Sequence, residues 1–600
     1  MAKIHTSRRS FKAIGHIFVA FFCLAGLQIV QGNMVTAAGA DIDSEYRDPR
    51  DGEYRDPNVP GGGYQIVILR DRGNNYTGSS YLTSKEFGVT CSSLSDDNCQ
   101  ADAGQLSYSA LLPPCSTSSQ LDCIAEFGAQ AKDGSLHPAT LVRYFPAVGR
   151  HDFVGDDSVF LPSGDRQSIW SIPSLGHDGG NNYLLQVNIR GSQIGQSAGG
   201  FWTDEFNVDI NPIELVSNPN PNTAPFFPWR EAVTQPGIYD FTDGELQYDE
   251  NGNELPQLWR KRFSNRGSGD LYDCVIIADD LCARRHAFPV GAKLYLKVRL
   301  SSSPTGWLHG RISDPTVSIT AIPGTKSGVE VSVAATAIKV PIVAIASARG
   351  SLPANLQDAY NQSGENSNSG GFKGSYGGWC PIREYDGYSV RNCVYWSHFQ
   401  GKAAIEELLM WLPFINDTAT ANLSSWSIRS LSADELQGSG RCMNNTRQLN
   451  GLVMTNATNY SAGPPKFDKA TGSLNYRVAA PHYTSGGNVF LGTYDLIMRS
   501  DVARCIYGFS NAPLNASISV IDNDGVTTTA TKLVSEKDGW LRIAAYGFEF
   551  SSPTIKVKLT QGSKTVKQKM ITISCKKGKA IKKVSGKNPK CSAGYKKMKT

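Results

Sequence analysis

"YLLQVNIRG", Tyr183–Gly191, decides the fold class. From Leu185 it alternates: Leu185, Val187 and Ile189 take one side of an extended chain, Gln186, Asn188 and Arg190 the other. Successive strand side chains point to opposite faces, so this is a strand signature rather than a helical one. Runs of similar texture recur as "YQIVILR" from Tyr64, "ATLVRYF" from Ala139 and "AKLYLKVRL" from Ala292, separated by Gly, Asn and Asp. Short Val/Ile/Leu/Tyr runs with turn residues between them predict β-sandwich domains. "GRISDPTVSITAI" (Gly310–Ile322) reads as a turn and then a strand. "VEVSVAATAIKVPIVAIAS" (Val329–Ser347) reads as two strands around Pro341.

From Tyr476 to Leu559 strands follow at close spacing, through "YDLIMR", "ASISVI", "WLRIAAYG" and "TIKVKLT". That is the size and rhythm of an immunoglobulin-like sandwich. Asn523-Asp524-Gly525 supplies a hairpin-turn signal inside it. Between the two β-rich stretches the pattern is mixed. "FQGKAAIEELLMWLPFI" is the best helix in the chain after its start, over about 400–412. Ala404, Ile405, Leu408, Leu409, Trp411 and Leu412 share a broad face, and Pro413 ends it. The fold expected is mainly β and multidomain, of β-sandwich and immunoglobulin-like architecture, with a small mixed α/β region and local disulfides.

Residues 1–40 read as an export signal. Lys3, Arg8, Arg9 and Lys12 precede the apolar run Ile17–Val30, and Ala38-Gly39-Ala40 is a small-x-small cleavage site. Ser7, Arg8, Arg9, Phe11 and Lys12 fit a twin-arginine outline, and an ordinary basic lead serves general export equally. No second long apolar run follows, so the mature chain is expected to carry no membrane span and to be secreted. The segmentation expected after the signal is a linker at 41–62 with a repeated EYRDP and a sandwich at 63–215. A second β region at 216–348, the mixed region at 349–474, the immunoglobulin-like sandwich at 475–562 and a basic, disulfide-closed tail at 570–600 follow.

Of thirteen cysteines, one, Cys23, lies in the apolar run. Twelve remain, an even number in an exported chain. Nearest-neighbour pairing gives Cys91–Cys99, Cys115–Cys123, Cys274–Cys282, Cys380–Cys393, Cys442–Cys505 and Cys575–Cys591. The first two pairs leave a crossed connectivity open. Closing each nine-residue loop removes roughly 2.5 kcal/mol of unfolded-chain entropy. A zinc site needs tighter Cys/His clusters than these, and no sequence motif implies a metal or a cofactor.

The chain carries a net charge of +5, yet residues 575–600 alone hold ten lysines and no acid. With the basic lead also removed, the body is net acidic. Positive charge confined to one appendage argues against a nucleic-acid-binding body. Lys576, Lys577, Lys579, Lys582, Lys583, Lys587, Lys590, Lys596 and Lys597, with Tyr595 as an aromatic contact, form the candidate binding set. Anionic cell-wall polymers or lipid head groups are the partners such a set suits, and glycans are a further class.

"DVARCIYGFSNAPLNASISVI", "DGWLRIAAYGFEFSSPTIKVKLTQ" and "ITISCKKGKAIKKVSGKNPKCSAGYKK" resemble the end of uncharacterised secreted proteins of actinobacteria. There a sandwich precedes a Lys-rich module with two cysteines and a Cys-x-x-Gly-Tyr-Lys ending, here Cys591, Gly594, Tyr595 and Lys596. The resemblance covers about 470–600 and implies location rather than chemistry.

HExxH, Walker A and GxGxxG in a Rossmann context are all missing from the sequence. His151, His177, His286, His309, His398 and His482 are scattered singly and read as surface or turn residues. Glu406 and Glu407 sit about 100° apart on the predicted helix, so they read as a solvated edge rather than a carboxylate pair. Trp170, Trp202, Trp229, Trp259, Trp379, Trp396 and Trp426 read mostly as core, with an exposed one as the sign of a glycan platform. A binding or structural protein of the cell envelope, tethered by its tail, is the first expectation, with no catalytic residue assigned. An extracellular glycan hydrolase with its site in 350–470 is the alternative.

Overall fold

The computed structural model describes residues 64–69, 80–84, 90–99, 106–149, 152–193, 200–217, 274–279, 281–348, 352–361, 378–379, 382–385, 388–391, 393–396, 401–443, 448–510, 514–521, 527–528, 531–550, 554–561, 571–586 and 589–598. All belong to the unit that begins at Ala40. The export signal and the EYRDP linker lie outside the described residues.

The strand around "YLLQVNIRG", Asn182–Gln193, pairs antiparallel with Phe201–Ser217 on one edge and with Leu106–Leu111 on the other. Leu185, Val187 and Ile189 face a large apolar core, as the alternation requires. The polar side is covered as well. Gln186 donates to the Gln167 side chain at 2.6 Å, and Asn188 donates to the Ser109 hydroxyl at 2.9 Å. These bonds meet part of the cost of enclosing the amides, while Asn188 Oδ1 and Gln167 Nε2 are buried without a partner.

Facing this sheet across the core is a second antiparallel sheet. Its strand order is Leu136–Pro138, Cys123–Gln130, Lys293–Leu300, Val329–Ala348, Gly306–Ala321. Phe127, Leu296, Val298 and Val333 from one sheet meet Tyr108, Val187, Phe206 and Trp426 from the other. Trp426 also donates its indole N–H across the core to the Ala335 carbonyl at 3.0 Å. The strand partners draw on both 63–215 and 216–348, so these two stretches build one sandwich together.

Two long strands carry the architecture onward. Gly306–Ala321 is one continuous strand, where a turn followed by a strand was expected at Gly310–Ile322. Its first part pairs with Ala421–Ser430, and from Ile312 it pairs with Val329–Ala348. The expected turn is a bulge: register shifts between Ser313 and Thr316, and Asp314 takes φ +46°. A bulge bends a strand without ending it, which moves this strand from one sheet to the other. Val329–Ala348 likewise runs through Pro341 as a single strand instead of two. It exchanges neighbours there, pairing with Ala421–Ser430 over Ile338–Ile342 and with Tyr64–Leu69 beyond. The Pro341 carbonyl accepts the Thr458 hydroxyl at 2.6 Å.

The sheet then continues into a second sandwich. Leu449–Thr455 lies parallel to the start of Gly306–Ala321, and Leu491–Arg499, Trp540–Glu549 and Thr531–Lys537 follow antiparallel. Opposite stand Ser473–Ala479, Thr554–Gln561 and Leu514–Ile521. Leu449–Thr455 is buried along its whole length. Leu452 and Met454 face the first core, while Val453 faces the second. Gly451 is required where this strand passes Trp307: a Cβ there would run into the indole ring and come within 2.6 Å of the Ile497 carbonyl oxygen. The strands flanking Asn523-Asp524-Gly525 pair as a hairpin, Ile521 opposite Thr527. The turn itself lies outside the described residues.

The predicted helix is Gly401–Trp411. Ile405, Leu408 and Trp411 pack with Leu356 of a second helix, Ala354–Asn361, and with Val343. Glu407 corrects the expected solvated edge: it is only 1% exposed, whereas Glu406 pairs with Lys402 at the surface. A further helix, Ser500–Tyr507, lies inside the stretch read as strands alone, and Gly508 closes it at φ +65°.

Disulfides Cys91–Cys99, Cys115–Cys123, Cys442–Cys505 and Cys575–Cys591 have formed as nearest-neighbour pairing predicts. Cys282 is also disulfide-bonded. The side chains of Cys274, Cys380 and Cys393 lie outside the described residues. Among the described residues no helix is long and apolar enough to cross a membrane.

Candidate functional site

The lysine-rich end folds as a three-stranded antiparallel sheet with Ile571–Lys577 at its centre. Ala580–Gly586 flanks it on one side and Lys596–Lys597 on the other. The hairpin turns through Gly578 and Lys579, and Gly578 takes φ +58°, the backbone region that favours glycine at a two-residue turn. Cys575 is buried and bonds Cys591, which pins the 589–595 loop onto one face. Ile573 and Cys575 point to that covered face, together with Lys577 and the facing residues Lys582, Val584 and Lys597.

The opposite face is bare. Lys576 stands directly across from Ile581 on one side and Lys596 on the other. One step along, Ser574 faces Lys583, and the Met598 amide donates to the Ser574 carbonyl at 2.8 Å. Lys576, Lys577, Lys579, Lys582, Lys583, Lys590, Lys596 and Lys597 are all exposed, and Tyr595 is half-buried. Lys587 lies outside the described residues. Among the described residues no acid pairs with any of these lysines. Like charges directly opposite in a sheet are destabilising. The Lys576–Lys596 pair therefore raises the potential of this surface at some expense to its stability.

Among the described residues a polar cluster around His309 is turned inward. His309, expected at the surface, is instead 2% exposed and stacks on Tyr460 with ring centroids 4.1 Å apart. Burial pushes its pKa well below the usual histidine value, and the Arg311 and Arg429 charges push in the same direction. Arg311 donates to the carbonyls of Thr455, Ala457 and Thr458 at 2.9, 2.6 and 3.3 Å. Arg429 forms a two-point ion pair with Glu435 at 2.7 and 2.8 Å. These groups are closed in by the two sandwiches and act as internal braces.

In the mixed region, the Asp417 carboxylate accepts the His482 amide at 2.8 Å. His177 and His286 lie 5.4 Å apart, and His286 approaches Glu214 at 3.4 Å. Among the described residues no group of three or more metal-ligating side chains converges. His151, His398, Trp229 and Trp259 lie outside the described residues, as do the side chains of Trp379 and Trp396. Trp170 and Trp426 are core, and Trp202 is 40% exposed.

An open cleft of about 870 Å³ lies between the loops closed by Cys91–Cys99 and Cys115–Cys123. Ser93, Ser116, Thr117, Asp122 and Asp157 line it. Several of these groups are already engaged: Ser116 donates to Gln120, and Asp122 accepts the Ser301 amide. Burial pushes the Asp122 pKa up, although that hydrogen bond opposes the shift.

Sequence reasoning located the lysines but not their split between a covered and a bare face, because that depends on which strands flank Ile571–Lys577. No protein-family model matches the chain, and neither a curated protein nor a solved structure is similar to it.

Proposed function

We propose that the protein is a secreted binding or structural component of the cell envelope. Its folded body is held to anionic envelope material, wall polymer or lipid head groups, by the basic sheet at 571–598. The observation that carries this reading is the set of eight exposed lysines on a disulfide-closed sheet, with no described acid against them. Fixing the sheet by a covalent bridge keeps the charges clustered, so less chain entropy is lost on binding. The attraction is electrostatic at a surface and weakens as salt shortens the screening length to about 8 Å at physiological ionic strength. The actinobacterial resemblance supports the same location.

Deleting residues 575–600 should move the protein from the envelope fraction to the medium. Wild-type protein should be released progressively by rising salt. Equal partitioning of the two forms at low salt would overturn the tether.

A further inference from the structure

Resting on that reading, we infer that the bare face of the basic sheet docks on an anionic lipid surface, inserting Ile581 and Met598 between head groups. Three observations converge. The strand registers place Lys576, Lys583 and Lys596 on one face with Ile581, and the Met598 amide bond to Ser574 puts Met598 in the same row as Lys583. Ile581 is 59% exposed and Met598 38% exposed, although each has apolar surface that a core would bury. The other face carries lysines too, but it is occupied by the loop that Cys591 holds down, so only one face is free to lie flat.

Charge alone suits any polyanion. Apolar side chains interleaved with lysines suit a phase that has both anionic head groups and hydrocarbon beneath them. A wall polymer offers the first and not the second. Each lysine near an anionic bilayer contributes attraction that falls off within a Debye length, while the apolar pair adds burial that salt does not screen. Lysine stems also cover apolar surface while their ammonium groups stay at the head-group level.

The test uses the mature full-length chain and two probes. One is vesicles of phosphatidylcholine with phosphatidylglycerol, and the other is soluble polyphosphate, which has no apolar phase. The double variant Ile581→Ser/Met598→Ser should lose about tenfold in vesicle binding and keep its polyphosphate affinity. The triple variant Lys576→Gln/Lys583→Gln/Lys596→Gln should lose both. Lys577→Gln/Lys582→Gln/Lys597→Gln, on the covered face, should lose less vesicle binding than that triple. All these positions are exposed, and an intact Cys575–Cys591 bridge by mass analysis together with an unchanged circular-dichroism spectrum verifies each fold. Unchanged vesicle binding by the Ser double variant would overturn the lipid inference while leaving the electrostatic tether standing. Equal losses from the two lysine triples would overturn the assignment of the face. Failure of the wild-type chain to bind either probe would overturn the tether itself.

Discussion

Single residues show where burial and charge conflict. His309 sits inside the protein against Tyr460, with two arginines close by. The folded state therefore refuses a proton that the unfolded chain accepts near the ordinary histidine value of about 6.5. A base whose folded pKa is depressed contributes its stability fully above the unfolded pKa. That stability falls away as pH drops below about 6.5, by up to about 1.4 kcal/mol per pH unit. Burial lowers the His177 pKa as well, which adds a slope of the same sign. His309→Phe preserves a ring on Tyr460 and removes the titration. Urea midpoints between pH 7 and 5 should then fall less steeply than in wild type, by about one proton. Identical slopes would show that His309 is not the group responsible. None of this was legible in the sequence, because a lone histidine flanked by Leu308 and Gly310 gives no sign of which sheet will cover it.

At the scale of elements, structure is legible in the sequence where the apolar period is local and hidden where tertiary partners decide. Alternation found Asn182–Gln193, Lys293–Leu300 and most strands of the second sandwich. It could not tell a turn from a bulge at Asp314-Pro315, since the same turn-favouring residues serve both. It divided Val329–Ala348 at Pro341, because a proline normally belongs at a strand edge or end; here the strand changes partners at that point. The helix Ser500–Tyr507 was missed for its shortness, being two turns between strong strands. Its Cys505 reaches back 63 residues to Cys442, tying the helix to the loop that precedes Leu449–Thr455. Removing that bridge with Cys442→Ala/Cys505→Ala should destabilise the protein by about 2–5 kcal/mol, read as a lower urea midpoint with a somewhat steeper slope, because the denatured chain without the cross-link is more open. A neutral result would mean that the helix is held by packing alone. The tail lysines were legible as a charge run. The bare and covered faces were not, because they follow from register.

For the molecule as a whole, the shared sheet matters most. Leu452 and Met454 belong to one core and Val453 to the other, on a single strand. Arg542, from the second sandwich, bonds both its neighbour Asp495 and Asp314 at the bulge of the crossing strand, at 3.0 and 2.9 Å. Two sandwiches linked in this way should melt together. Calorimetry of residues 41–600 should show one main transition, and Leu452→Ala and Val453→Ala should each lower it. Two resolved transitions, each moved by only one of the substitutions, would show that the halves are independent.

The pairing of Phe201–Ser217 with Ala421–Ser430 also bears on how the chain comes to its native state. As the polypeptide emerges from its amino end, one edge of the earlier strand must wait more than two hundred positions for its mate. Contacts of such long sequence separation form slowly and leave sticky backbone uncovered meanwhile. Anything that delays arrival of the later half, such as a premature stop or a stalled ribosome, leaves an unsatisfied ribbon open to self-association. Fragments that end before Ala421 should therefore self-associate where the whole chain does not.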